Sequence, residues 1–238
     1  MGIELFGNHD FSIVNNNDIS LSTQVLSQVG PVSITPPVGV KHWRGLYIAQ
    51  PLIKYGINNN TINIKTITGV GILNSLGDVQ NQTKGNTISF SSNSIASSQG
   101  HKLRTLIGVW ADKCIESDFD DNNTHGFNNP TLYDARNSYG MYMDNSPWCR
   151  WSCNKADYIR YGFYVWGNNE TKKEKVTYNR MDFNEFPWYF LDGAAAQAGT
   201  FGTIGDPNAG GLEPANEYFN VAGIGNLNLT EFVQSISK

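Results

Sequence analysis

Asn58-Asn59-Asn60-Thr61-Ile62-Asn63-Ile64-Lys65-Thr66-Ile67 is the stretch that decides the fold class. Three asparagines mark a turn. The run after them alternates with a period of two, with Ile62 and Ile64 on one face and Thr61, Asn63 and Lys65 on the other. That is the period of a half-buried strand, not of a helix. Asparagine also works against helix, because its side chain competes for backbone hydrogen bonds and favours turns and left-handed positions. The chain has 28 asparagines in 238 residues, so this local pattern holds almost everywhere.

Working outward, short strand signals recur between turns. Ile3, Leu5 and Phe11, Ile13 bracket a Gly7-Asn8-His9-Asp10 turn, which reads as strand, turn, strand. Asn15-Asn16-Asn17-Asp18 is the next turn, followed by a strand from Ser20 to Val29 and a short one from Pro31 to Ile34. Pro36-Pro37 punctuates the chain there. Further strands are expected at Gly45 to Ile53, Gly69 to Leu73, Thr87 to Ser91 and Ser138 to Met143. Leu103 to Ala111 is an uninterrupted apolar strand, which implies burial on both faces. In Tyr158 to Trp166, strict alternation puts Tyr158, Arg160, Gly162, Tyr164 and Trp166 on one face and Ile159, Tyr161, Phe163 and Val165 on the other. Glu116 to Pro130 reads as a long loop of the functional kind. Only Ala194 to Ala198 and Leu229 to Ile236 suggest short helices. No solenoid or propeller repeat is visible.

These readings predict a mainly β chain, an antiparallel β-sandwich or jelly-roll-like body with long loops and little helix. Residues 1–37 are expected to form an N-terminal β-hairpin and assembly segment. Residues 38–238 are expected to form the sandwich domain with a Gly-rich C-terminal extension.

Composition excludes several functions. A net charge of −4 and a pI near 5.5 argue against nucleic acid as a partner, since phosphate binding needs a basic face. The first ten residues carry no Lys or Arg and no apolar run suited to export, and no stretch approaches a membrane span, so a protein made in a cytoplasm is expected. Five N-x-S/T sequons (Asn59, Asn81, Asn122, Asn169, Asn228) follow from the abundance of Asn, Ser and Thr. Cys114, Cys149 and Cys153 do not make a disulfide framework, and C-x3-C at 149 and 153 lacks zinc-knuckle spacing.

Few residues suggest chemistry. Asp118, Asp120 and Asn122 begin like a calcium loop, but position six is Asn123 and position twelve Asn129, where Gly and Glu belong. Trp148, Trp151, Trp188 and Tyr189, with Trp166, form an aromatic set. Trp148, Trp151, Trp188 and Tyr189 are the candidates for stacking on a sugar; the alternative is a set of core anchors. No G-x-S-x-G or H-E-x-x-H occurs, and His9, His42, His101 and His125 have no recognisable partner by spacing. Asp182 with Glu185, or Asp118 with Asp120, are the carboxylate pairs open to a glycosidase. No catalytic residue and no cofactor is assigned.

The opening Gly2-Ile3-Glu4-Leu5-Phe6-Gly7-Asn8 resembles the start of tailed-bacteriophage virion proteins of the tail-tip, tail-fibre or decoration type. It departs from them where Gly7-Asn8-His9-Asp10 replaces an N-x-x-G turn. The resemblance covers about fourteen residues and carries no functional residue. It implies a non-enzymatic, tail-associated structural protein of the virion, a homo-oligomer whose partners are its own copies, other virion proteins and a host-surface glycan. The alternatives are a carbohydrate-binding module with a Trp-lined site and a glycan hydrolase.

Overall fold

A computed structural model describes residues 2–6, 13–22, 43–49, 55–65, 69–78, 81–90, 105–126, 137–167, 169, 176–177, 179–182, 184, 186–190 and 217–219. Within them the chain is a three-sided solenoid in which every strand pairing is parallel. The first sheet stacks β1 (Ile3–Phe6), β4 (Trp43–Ala49), β7 (Gly69–Ser75), β10 (Thr105–Asp112), β13 (Asn137–Asp144), β16 (Tyr161–Trp166) and β19 (Phe186–Phe190). The second stacks β2 (Ile13–Asn15), β5 (Gly56–Asn58), β8 (Gln82–Lys84), β11 (Asp118–Asp120), β14 (Arg150–Ser152) and β17 (Val176–Thr177). The third stacks β3 (Asp18–Ser22), β6 (Thr61–Lys65), β9 (Thr87–Phe90), β12 (Asn123–His125), β15 (Lys155–Asp157), β18 (Arg180–Asp182) and β20 (Glu217–Phe219). From β1 to β16 each strand pairs with the one three places on, so three strands make one rung, and at the far end β18 pairs with β20.

This overturns the antiparallel sandwich. Alternating, one-sided strands are common to both architectures. What separates them is pairing across rungs, and local periodicity does not report it. The opening is not a hairpin either: β1 pairs with β4, and β2 with β5. A repeat is present after all, but its length varies. Successive equivalents lie 43, 26, 36, 32 and 25 residues apart, because insertions of different size leave at the corners. The expected loop from Glu116 to Pro130 holds β11, a corner at Asp121-Asn122, and β12. The two expected helices lie outside the described residues, as do the expected strand at Pro31 to Ile34 and the Gly-rich segment 193–211.

The corner between the second and third sheets explains the asparagine content. Asn17, Asn60, Asn86, Asn122, Asn154 and Asn179 stack along the solenoid axis, and all but Asn17 are buried. Each side chain from Asn17 to Asn154 donates from Nδ2 to Oδ1 of the next asparagine at 2.9 Å. The backbone N–H of the same residue donates to that same Oδ1. Asn60, Asn86, Asn122, Asn154 and Asn179 also donate an Nδ2–H to a carbonyl of the rung before, that of Val14, Ile57, Thr83, Phe119 and Trp151 in turn. An interior asparagine such as Asn122 therefore uses both donors and both acceptor sites of its amide, which is what makes its burial tolerable.

The residue before each of the first five asparagines turns the chain. Asn16, Asn59, Gly85, Asp121 and Cys153 all have φ between 54° and 66°. Asn, Asp and Gly suit that left-handed region; Cys does not.

A second constraint shapes the first sheet. Gly2, Gly45, Gly71, Gly108, Gly140 and Gly162 fall at one level, between register pairs such as Arg44↔Val70 and Leu46↔Ile72. A Cβ on Gly71 would lie 2.7 Å from the Gly108 carbonyl oxygen, and one on Gly108 2.6 Å from that of Gly140. Only glycine fits so close an approach. The strand kinks at this level, so that the glycine and the residue after it both face inward.

Inside, like stacks on like. Leu46, Ile72, Val109, Met141 and Phe163 form one inward column, and Ile62 and Ile88 belong to another. Phe119 and Trp151 stack at 4.2 Å, and Trp151 meets Phe163 edge-on at 5.1 Å. The expectation of burial for Leu103 to Ala111 agrees with β10, where Leu106, Ile107, Gly108, Val109 and Ala111 are buried.

Asn122→Ala would orphan two donors of Asn86 and the carbonyl of Thr83, at about 1–3 kcal/mol per buried group. We expect a loss of about 3–5 kcal/mol in urea unfolding, and a loss for Asn122→Asp too, since a carboxylate cannot donate onward. Cys153→Asn relieves left-handed strain at an exposed corner and should raise stability by about 1 kcal/mol, read as a higher denaturation midpoint.

Candidate functional site

The outer face of the first sheet carries the densest arrangement of chemically distinctive side chains among the described residues. The glycine kink creates it. In strict alternation Tyr161 and Tyr164 would face opposite ways; with the kink at Gly162 they share the outer face and touch at 5.4 Å. The same holds for Tyr139 and Tyr142 around Gly140, at 5.3 Å. Register then stacks these pairs rung upon rung.

One column runs Tyr47, Leu73, Trp110, Tyr142, Tyr164, Tyr189. Trp110 meets Tyr142 at 5.3 Å, Tyr142 meets Tyr164 at 5.0 Å, and Tyr164 stacks on Tyr189 at 5.2 Å with planes 12° apart. The neighbouring column holds Val70, Ile107, Tyr139 and Tyr161, where Tyr139 stacks on Tyr161 at 5.1 Å. The columns interlock: Tyr139 meets Tyr164 edge-on at 4.9 Å. Val70, Leu73, Ile107, Tyr142 and Tyr164 are buried in this outer cluster, while Tyr47, Trp110, Tyr139, Tyr161 and Tyr189 are half-buried. Arg44 lies over the Tyr47 ring at 4.0 Å and Arg160 near the Tyr161 ring at 5.2 Å, as cation–π partners.

The far ends of the strands form an acidic rim. Ser75, Asp112 and Asp144 follow one another in register. Ser75 Oγ donates to Asp112 Oδ2 at 2.8 Å, and Asn145 Nδ2 to Asp144 Oδ1 at 2.7 Å. Burial, with the Asp112 charge beside it, raises the Asp144 carboxyl above the usual carboxylate range, against the opposing pull of its Asn145 hydrogen bond. Burial, then the neighbouring phenols, pushes Tyr139 up to about 12. Burial, then Tyr189 and Tyr161, does the same for Tyr164, also to about 12. Burial and the Asp144 charge hold Tyr142 higher still. The face is thus a set of neutral hydroxyls on an apolar wall, bordered by carboxylates at one edge and guanidinium groups at the other.

The residues singled out from sequence are scattered. Tyr189 belongs to the aromatic column. Trp151 does not: it is fully buried under the second sheet and stacks on Phe119, so it offers no ring to a ligand. Trp148 sits half-buried at a corner with φ 61°. Trp188 pairs in register with Phe163, and its side chain lies outside the description. Trp166 is 48% exposed at the acidic rim's level, next to Asp144 in register. Asp118, Asp120 and Asn122 do not converge. Asp118 pairs with Arg150 at 3.2 Å, Asp120 with Lys84 at 3.3 Å and with Ser152 at 2.8 Å, and Asn122 is spent in the interior ladder.

His125 is hydrogen-bonded to Asp157 and sits edge-on to Tyr158. Asp182 is buried beside Arg180, and Glu185 lies outside the described residues, as do His9, His42 and His101. Cys114 and Cys149 are buried and Cys153 exposed, all as free thiols. Burial and the Asp120 and Asp121 charges raise the Cys153 thiol, which keeps it protonated. Among the described residues no group of three or more His, Cys, Asp and Glu could hold a metal ion.

Sequence reasoning missed Tyr47, Trp110, Tyr139, Tyr142, Tyr161 and Tyr164. The signal that could have found them is the recurring unit Ile107-Gly108-Val109-Trp110, Tyr139-Gly140-Met141-Tyr142, Tyr161-Gly162-Phe163-Tyr164. No family model, no curated protein and no solved structure matches this chain.

Asp144 tests the electrostatics. Its raised folded-state value means that ionisation costs stability above the unfolded carboxylate range near pH 4 and costs nothing below it. Asp144→Asn should therefore raise the thermal midpoint at pH 7 and leave it unchanged near pH 3, measured by circular dichroism melts across that range.

Proposed function

We propose that this chain is a non-enzymatic structural protein of a bacteriophage virion, tail-associated, which acts in particle assembly and host-surface attachment. The observation that carries the mechanical part is the buried asparagine ladder. It joins six successive rungs through side-chain bonds of uniform 2.9 Å length and turns a chain of short strands into a stiff rod. Stiffness with self-sufficient stacking suits a protein that must hold a surface at a distance. The virion setting rests on the resemblance of residues Gly2 to Asn8 to tail-type proteins, and on that alone.

A second reading, glycan recognition, is favoured by one observation: half-buried Trp110, Tyr161 and Tyr189 share one sheet with the rim of Asp112, Asp144 and Trp166 at its far end. Aromatic rings, phenolic hydroxyls and carboxylates are the groups that engage a sugar's C–H faces and hydroxyls. The two readings combine in an attachment protein that binds a surface polysaccharide.

The test is binding of fluorescently labelled protein to a panel of bacterial cells, followed by a glycan array. Attachment to some cell surfaces, with bound glycan recovered intact and binding weakened at least tenfold by Trp110→Ala, is the expected result. Cleavage of the bound glycan would replace this reading with a hydrolase, and absence of binding to every surface would remove attachment from it.

A further inference from the structure

The far ends of the first sheet's strands carry a third outward column beside the two aromatic ones. Ser75, Asp112, Asp144 and Trp166 follow one another in register, each two residues beyond Leu73, Trp110, Tyr142 and Tyr164. The residues between them, Asn74, Ala111, Met143 and Val165, are buried, so the two columns share the outer face. Neighbouring strands lie about 4.8 Å apart, so Asp112, Asp144 and Trp166 span about 10 Å along the axis.

These groups differ in how open they are. Tyr142 and Tyr164 are buried among the other rings, and Trp110 and Tyr189 are half-buried. Trp166 is 48% exposed, which makes its indole the most open ring of these columns. Each carboxylate has one oxygen committed: Asp112 Oδ2 accepts from Ser75 Oγ, and Asp144 Oδ1 from Asn145 Nδ2. Among the described residues nothing donates to Asp112 Oδ1 or Asp144 Oδ2, and no lysine, arginine or histidine forms an ion pair with either carboxylate. Two acceptor oxygens on adjacent rungs beside an open ring fit a ligand with two neighbouring donors and an apolar face. A sugar ring supplies both, as adjacent hydroxyls and a C–H face.

The field at this rim is negative. Burial and the Asp112 charge raise the Asp144 carboxyl, and after burial the Asp144 and Asp112 charges act on the Tyr142 phenol. Lys113 is exposed and offsets part of this charge; Glu116, exposed too, adds to it nearby in the chain. The guanidinium groups belong to the opposite end of the sheet. Arg160 stands roughly 15–20 Å before Trp166 along its strand, and Arg44 is paired with Glu4 at 3.8 Å. A carboxylate, sulfate or phosphate on a ligand at the rim therefore meets like charge, which excludes such a partner.

We propose that the glycan recognised on this face is a non-acidic one, seated with a sugar ring on Trp166 and with two adjacent hydroxyls donating to Asp112 and Asp144. The proposal rests on the glycan-recognition reading above and adds to it the class of glycan and the groups that select it.

The test prints surface polysaccharides from the cell panel on an array, each as extracted and after oxidation of its primary alcohols to carboxylates. The native chain is compared with Trp166→Ala and with the double variant Asp112→Asn, Asp144→Asn, each first shown to be folded by circular dichroism. The native chain is expected to bind polysaccharides without acidic groups and to lose at least about tenfold in affinity on their oxidised forms, with a smaller loss at high ionic strength, where like charges are screened. Trp166→Ala should bind every form at least about tenfold less. The double variant should bind the oxidised forms nearly as well as the unoxidised ones, a narrowing of preference that a merely structural role for the carboxylates would not produce. The salt dependence reads the same repulsion in the native chain even if a variant fails to fold. Native binding that prefers acidic polysaccharides, a preference that survives unchanged in the folded double variant, or full binding by folded Trp166→Ala would overturn this inference and leave glycan recognition standing. Binding to none of the polysaccharides would overturn glycan recognition itself, and the inference with it.

Discussion

The rest of the structure depends on one interaction, the amide-to-amide hydrogen bond between asparagines on successive rungs. A buried primary amide is costly unless both donors and both acceptor sites are used, and a periodic stack is one of the few arrangements that uses all four. Once Asn60 bonds Asn86 and Asn86 bonds Asn122, the corner between the second and third sheets cannot slip along the axis. A left-handed residue precedes each asparagine from Asn17 to Asn154 and turns the chain at that corner. Insertions of different length can then leave the solenoid at the other corners without disturbing the stack.

Fixed register has consequences on both sides of the first sheet. Inward, it sets the glycines at one level, where each backbone passes so close to the next that no side chain fits. Outward, the kink at those glycines turns tyrosines three residues apart to the same face, and stacking multiplies each pair into columns. The rings pack chiefly on one another. Burial then lifts the phenols and Asp144 away from their ordinary ionisation ranges, so the face stays uncharged in its middle and charged at its borders.

A solenoid of this kind is quasi-one-dimensional: each rung contacts its neighbours only, and its ends are unlike its sides. Its faces are therefore surfaces for recognition, and its ends are surfaces for continuation or capping. Side-chain pairs such as Lys84 with Asp120 and Arg150 with Asp118 occupy the second sheet's exterior in the same ladder fashion, which spends carboxylates that would otherwise read as a cation site.

By itself the sequence determined that this protein is built of short strands and turns. Local alternation around Ile62 and Ile64, and the resistance of asparagine to helix, are properties of neighbouring residues and need no distant partner. It also carried the glycine-and-aromatic unit around Gly108, Gly140 and Gly162, legible only once one knows that residues at such unequal spacing stack. Tertiary structure alone decided that the strands pair in parallel with the third strand onward, because pairing is a long-range choice that local period leaves open. It also decided the roles of particular side chains. Trp151 is a core anchor because its strand faces Phe119 and Phe163, Asn122 is a ladder rung because Asn86 and Asn154 lie above and below it, and Tyr161 joins Tyr164 because Gly162 breaks the alternation between them.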